Sequence, residues 1–441
     1  MLAVCRLLAA ADSALTVTIV VTEEWHGLLA SDGVPPTLPD RIRLATIPNV
    51  IPSEHCRWAD MAGFYEAVRD KMGEHVERLL DRLALERRPE SLVIVADTFL
   101  TWAVPAGARR GVPVCSLWTQ PATFFLALYH MDLWPPVNGQ ESDQELSTKS
   151  LEQYVPGLSS VRLSDLKLFS AMERAMKIVA EAFANLGKAQ CVLFTSFLEL
   201  EPRAFNTITE SLPCPAYPIG PSIARMPLNG DKIGDEEHRV WLDGQPENSV
   251  LYVSFGSYVS MPPSQLEELA AGLLDSGVMF FWVARDKAAG LRQACGDRGL
   301  AVPWCEQLEV LCHPSVGGFL SHCGWNSVLE AVCAGVPMLA FPVVWDQLVN
   351  ARMVADEWKV GMDLTRQRSD DGTVSRAAIS AAVTKLMDFD SGVGREMRTR
   401  AAELREDSRR AVQEGGSSHR SLTSFLQDLV EGKPEVTETS L

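Results

Sequence analysis

The densest run of residue types able to do chemistry lies between Trp304 and Gln347 (WCEQLEVLCHPSVGGFLSHCGWNSVLEAVCAGVPMLAFPVVWDQ). Gly317 to Ser321 reads as a buried strand that runs into His322-Cys323-Gly324-Trp325-Asn326-Ser327. A helix is expected from Val328 to Ala334, stopped by Gly335, with the next strand starting at Pro337. A small glycine-containing turn that opens a helix presents free backbone N–H groups and the positive end of the helix dipole, which is chemistry for phosphate. His322, Asn326 and Ser327 add side-chain donors around it. Packing roles are open to the same residues. Ser327-x-x-Glu330 has the form of a capping box, worth ~1 kcal/mol with no ligand. His322 also suits a core histidine, and Trp304, Trp325 and Trp345 suit packing. What favours a ligand is that aromatic, phosphate-binding and carboxylate residues converge on one segment. A thiol nucleophile at Cys323, next to His322, is disfavoured because adjacent residues on an extended segment point apart.

Over its whole length this stretch resembles the signature box of the plant family 1 UDP-glycosyltransferases. Flanking matches are Trp241-Leu242-Asp243 and Val253-Ser254-Phe255-Gly256-Ser257. In the N-terminal half they are Thr22-Glu23-Glu24-Trp25, Val95-Ala96-Asp97-Thr98 and Phe197-Leu198-Glu199-Leu200-Glu201-Pro202. The resemblance implies two Rossmann-like domains facing a cleft (the GT-B type of α/β fold). It also implies a donor site in which Trp304 stacks on uracil and the Cys305 backbone pairs with the base edge. Gln307 and Glu330 would bind the ribose hydroxyls. A carboxylate suits a diol and repels a diphosphate, so Glu330 must face the sugar side. Ser257, His322, Gly324, Asn326 and Ser327 would surround the diphosphate, and Trp325, Asp346 and Gln347 the transferred sugar. Gln347 at the last position leans towards glucose, and the lack of an Arg at position 325 argues against glucuronic acid. With dipoles and His322 neutralising the diphosphate, no metal or cofactor is expected beyond UDP-glucose as co-substrate. The family usually carries Pro where this chain has Glu306, and a modest effect on donor affinity is expected.

On the acceptor side the resemblance implies an inverting transfer. An acceptor hydroxyl attacks the sugar carbon, deprotonated by a His that an Asp orients. Asp97, at the end of a strand, matches the orienting Asp, although a strand-end Asp also suits capping the next helix. The base His belongs to a Gly-His turn just upstream of a segment like Met1 to Leu8, and His26 has the wrong spacing to replace it. The expectation is therefore an N-terminally truncated chain lacking its first strand. It is either a clipped version of an active enzyme or a weak or inactive UDP-sugar-binding homologue. The acceptor is expected to be a small lipophilic phenol or alcohol, such as the flavonoid quercetin, in a pocket lined by Trp118, Phe124, Phe125 and Tyr129.

The elements that must position these residues read as α/β. Buried strands are expected at Leu15–Thr22, Ser91–Ala96, Val112–Leu117, Gln190–Thr195, Ser249–Ser254 and Phe280–Ala284, separated by helices such as Met61–Leu85. Strands alternating with helices imply doubly wound parallel sheets. A stretch rich in Pro and Gly divides the chain into an N-terminal domain at 1–212, a linker at 213–235 and a C-terminal domain at 236–431. The last helix, 418–429, is expected to pack back on the N-terminal domain, with a disordered tail at 432–441. A dinucleotide-dependent oxidoreductase is disfavoured, since no Gly-x-Gly-x-x-Gly follows a strand.

The chain of 441 residues is 46% hydrophobic and 22% charged, enough to bury two cores. A net charge of −17 makes nucleic acid and anionic membranes poor partners. Gly111 to Met131, the most apolar run, is interrupted by Pro113, Thr119, Gln120 and Pro121 and is not expected to span a membrane. Ten scattered cysteines without a Cys-x-x-Cys pair suit reduced, buried thiols in a cytoplasmic protein, expected to be a monomer.

Overall fold

A computed structural model describes residues 2–31, 40–53, 60–86, 92–135, 146, 148–166, 173–223, 236–256, 261–369 and 371–431. Most of the expected linker, the tail 432–441 and Ser257 lie outside them. The chain divides into two compact units. One comprises Met1–Tyr129, Phe169–Ala224 and Ala411–Leu441, the other His130–Leu168 and Arg225–Arg410.

In the first unit, β1 (Val17–Thr22) pairs in parallel with β2 (Ile42–Ile47). A second parallel sheet runs β3 (Ile94–Asp97), β4 (Val114–Trp118), β5 (Cys191–Phe194) and β6 (Ala216–Pro218) in that order. The expected single sheet is thus split two plus four, and among the described residues no strand pairing joins the parts. The amphipathic helix Leu2–Ala11 packs on both. Val4 and Leu8 join Cys115, Leu117 and Leu193, while Cys5 and Ala9 join Ile19 and Ile42. Residues four apart share one helix face, so two adjacent stripes serve two sheets. The helix Ser417–Glu431 adds Leu422 and Phe425 to the same core.

Two expectations for this half need correction. The helix expected over 61–85 is three pieces, Met61–Ala67, a π-turn at Val68–Met72, and Gly73–Glu86. The Trp102 indole donates to the Val68 carbonyl at 3.2 Å, a side chain inserted into the backbone ladder, which is a recognised cause of such a turn. Residues 130–168 also belong with the second unit, against the expected boundary at 212. Both Asp165 oxygens accept from Arg352 Nε at 3.1 Å, and Ser160 Oγ donates to Glu357 at 2.6 Å, so buried polar bonds fasten this stretch there.

The second unit holds six parallel strands in the order β12 (Gly361–Asp363), β11 (Met338–Ala340), β10 (Val316–Ser321), β7 (Val250–Ser254), β8 (Met279–Val283), β9 (Gly299–Val302). β7, β10 and β11 are buried at every position, as strands covered on both faces must be. The strand order reverses between β7 and β10. In open parallel sheets ligands bind at such a switch point, beyond the strand C-termini.

Candidate active site

β7 and β10 end beside each other, Ser254 opposite Ser321. The next residues on each form the centre of the site. The His322 ring is wedged against Gly256 and Gly324: a Cβ at either would fall 2.6 or 2.5 Å from the ring. Gly256 also has φ +67°, so that position needs glycine both for space and for conformation. Burial pushes His322 down to about 4, so the imidazole is neutral at pH 7, and its Nδ1 has no hydrogen-bond partner. The ring also has a hydrogen bond with the Ser254 backbone, so it does not bring the charge expected from the sequence.

Beyond His322 the chain turns at Cys323, held at φ +61°, and enters the helix Trp325–Ala334. The N-cap is Gly324, with no side chain capping the first amides. The capping box expected from Ser327-x-x-Glu330 does not form, because Ser327 already lies inside the helix. Its hydroxyl instead accepts from Gln307 Nε2 at 2.9 Å. The first turn thus keeps N–H groups for an anion, with Asn326 exposed beside them.

Gln307 and Glu330, distant in sequence, meet directly: Gln307 Nε2 donates to Glu330 Oε2. Tyr252 Oη, from the buried centre of β7, donates to Gln307 Oε1 at 3.1 Å and so sets which way the amide faces. Burial raises the Glu330 carboxyl, an effect the Gln307 bond opposes and the nearby Glu306 adds to. Trp304, in the loop after β9, is 64% exposed and offers a free aromatic face, while Cys305 beneath it is buried. Glu306 is the N-cap of the helix Gln307–Leu311 without capping it, and helps burial lift Glu309 to about 7.

The far end of the site is the start of the helix Gln347–Arg352. Gln347 Oε1 accepts from the Val343 and Val344 amides at 2.9 and 3.1 Å, leaving its Nε2 as what it can offer a ligand. Asp346 is buried, which pushes its carboxyl up to about 7, against the lowering effect of a 2.7 Å bond from Asn350. Trp325 is buried against Trp358, and its indole N–H has no partner. Stacking through its ring face is therefore closed, and it can present only its N–H and backbone.

In the first unit, Asp97 ends β3. Its Oδ1 accepts from the Phe99 amide at 3.0 Å, and Thr119 Oγ1 donates to Oδ2 at 3.3 Å. The first caps the turn after β3 and not the next helix, Ala103–Ala108, whose N-cap is Trp102. His26 lies exposed on the helix Glu23–Ser31. The expected acceptor pocket is corrected: Trp118, Phe124 and Phe125 are core, with 1%, 0% and 0% exposure. They stack among themselves and on Phe183, and the Trp118 indole donates to Pro121. An uncharged helix of consecutive apolar residues buries all its faces, so those rings have no surface to give, and of the four only Tyr129 is partly exposed. Glu201, in the matched Glu199-Leu200-Glu201-Pro202 segment, caps that helix by accepting from the Ala122 and Thr123 amides.

Sequence reading missed Tyr252 and Asn350. A Tyr inside an otherwise aliphatic strand, and an Asn four residues after Asp346 on a helix, were the available signals.

Comparison with known proteins follows the same line. The sequence model of the UDP-glucoronosyl and UDP-glucosyl transferase family matches residues 211–391. UDP-glycosyltransferase 87A1 of Arabidopsis thaliana is 42% identical over 440 residues, covering 97% of each chain. Gallate 1-beta-glucosyltransferase 84A23 of Punica granatum is 31% identical, covering 82% of this chain and 74% of that one. Among solved structures, Os79 from O. sativa in complex with U2F and trichothecene superposes with TM-score 0.81 at 29% identity, covering 97% of this chain and 96% of that one. Phytolacca americana UGT2, complexed with UDP-2fluoro-glucose and pterostilbene, gives 0.80 at 27% over the same shares.

Proposed function

The chain belongs to the plant family 1 UDP-glycosyltransferases, and from that premise we propose that it transfers glucose from UDP-glucose to a hydroxyl of a small lipophilic metabolite, with inversion at the sugar carbon. The observation that carries the reading is the joined Gln307–Glu330 pair, set between an exposed Trp304 and an uncapped helix N-terminus in one unit. A stacking face, a diol acceptor and an anion site in that order match a uridine diphosphate from base to phosphate.

In this reading the acceptor oxygen attacks the sugar carbon as the bond to UDP breaks. Negative charge grows on the leaving diphosphate. The free amides of the helix Trp325–Ala334 meet that charge, and being fixed in advance they need no reorganisation. Asp346 and Gln347 hold the sugar hydroxyls. Asp97 matches the Asp that orients the base His of this family, whose proton removal is worth roughly 10²–10⁴ in rate where that His is present. The acceptor class is read as phenolic or flavonoid. Support comes from a relative whose name is that of a gallate glucosyltransferase and from a structural neighbour that holds pterostilbene. Among the described residues no helix is long and apolar enough to cross a membrane, and nine cysteines are free, which supports a reducing compartment such as the cytoplasm.

The test is incubation with UDP-glucose and a panel of phenols, flavonols and terpenoid alcohols, with products identified by mass. A hexose added to a phenol or flavonol supports the reading. UDP binding by calorimetry with no product from any acceptor would favour the binding-only alternative.

A further inference from the structure

Asn350 is fully buried, at 0% exposure, one turn beyond Asp346 on the helix Gln347–Arg352. Its Nδ2 donates two bonds, one to the Cys323 carbonyl at 2.8 Å and one to Asp346 Oδ2 at 2.7 Å. The first fixes the turn between β10 and the anion-binding helix at a residue in the left-handed region, where an L side chain needs outside support. The second lies on the carboxylate read above as a sugar ligand. A single amide thus ties the diphosphate side of the site to its sugar side. Its other end argues against simple core filling, since Oδ1, although buried, has no partner among the described residues. A buried acceptor left unmatched is a cost, tolerated here where the donor end does two jobs.

We infer that Asn350 is the positioning residue of the donor site: it sets the Asp346 carboxylate at a fixed place relative to the Cys323 turn and keeps it in the form that accepts sugar hydroxyls. The inference rests on the reading of Asp346 as a sugar ligand. Asn350 itself touches no reacting atom.

The titratable groups around Asp346 are few. Burial keeps the Cys323 thiol protonated, and Asp363, at the end of β12, interacts with that thiol and is paired with Arg366 at 3.2 Å. His322, on the same turn, is neutral. Asn350 is a side-chain donor that favours the charged Asp346, so removing it moves the acid limb of the pH profile upward.

The experiment compares Asn350→Ala, Asn350→Asp and Asp346→Ala in the full chain. Calorimetry measures UDP affinity, and kcat/KM for UDP-glucose is followed across pH. Asn350→Ala should lower kcat/KM roughly 10–100-fold, weaken UDP binding by several-fold less than that, and shift the acid limb to higher pH. Asn350→Asp is nearly isosteric, so it tests the same point if the alanine variant does not fold. It sets a second carboxyl beside Asp346 and should move the limb further. An unmoved limb in a folded variant, or UDP affinity and kcat/KM falling in parallel, overturns the inference in favour of a packing role. Wild-type kcat/KM in Asp346→Ala would instead refute the sugar-ligand reading, which separates that failure from this one.

Discussion

Replacing Glu330 by Ala should weaken UDP binding without weakening the protein. In the structure one Glu330 oxygen already accepts from Gln307 Nε2, and the rest of the carboxylate's acceptor capacity is what a ribose diol would use. Gln307 keeps its 2.9 Å bond to Ser327 after the change and stays in place, held also by Tyr252. The loss is therefore that of the diol contacts. A hydrogen bond to a charged group is worth about 1.5–3 kcal/mol, which becomes roughly 10–100-fold in Kd. Stability moves differently. Burial is the largest influence on this carboxyl and raises it. A carboxyl raised in the fold contributes stability below its unfolded value and loses it as the pH climbs through its folded value. The ionised form is a load on the fold, so the alanine variant should melt no lower than the parent as the pH rises. Calorimetry with UDP and with a UDP lacking both ribose hydroxyls reads the effect. The variant should lose affinity for the first ligand and little for the second. Equal loss for both ligands, or none for either, would refute the assignment of Glu330 to the ribose.

Three other outcomes follow from the site and its supports. Asp346, ordinarily near 3.8, is held at about 7, so transfer should rise as the pH climbs through about 7, while the stability it contributes, full below 3.8, fades over the same span. Asp346→Asn should abolish that limb in kcat/KM and lower turnover roughly 10–100-fold. Gly256→Ala places a Cβ 2.6 Å from the His322 ring at φ +67°, and should weaken UDP binding by roughly 3–10-fold in calorimetry while costing about 1–2 kcal/mol in chemical denaturation. Asp165→Ala leaves Arg352, among the described residues, with only the longer 3.4 Å contact to Asp356, and should destabilise the unit by about 2–3 kcal/mol, measured by urea unfolding.

The sequence by itself determined which residue types line the proposed donor site. Local order makes this possible: a buried apolar strand, a glycine turn and a helix start must follow one another along the chain, so the anion site at Gly324–Ser327 is written in consecutive residues. Trp304, Gln307, Asp346 and Gln347 were legible for the same reason, since each stands in a loop or at a helix start, whereas Glu330 lies inside the helix Trp325–Ala334. The short strands β2, β6, β9 and β12 were less legible, because three to six residues carry little periodicity.

The tertiary structure alone decided which of these groups share a bond and what charge they hold. Gln307 reaches Glu330, Tyr252 turns Gln307, and Asn350 joins Cys323 to Asp346, each across segments that only sheet order brings together. It also decided that Trp118, Phe124 and Phe125 are core and not pocket, and that His322 is neutral. Burial is a property of everything packed around a side chain. Both a ring's accessible face and the cost of ionising a group depend on it, and no spacing along a single chain records it.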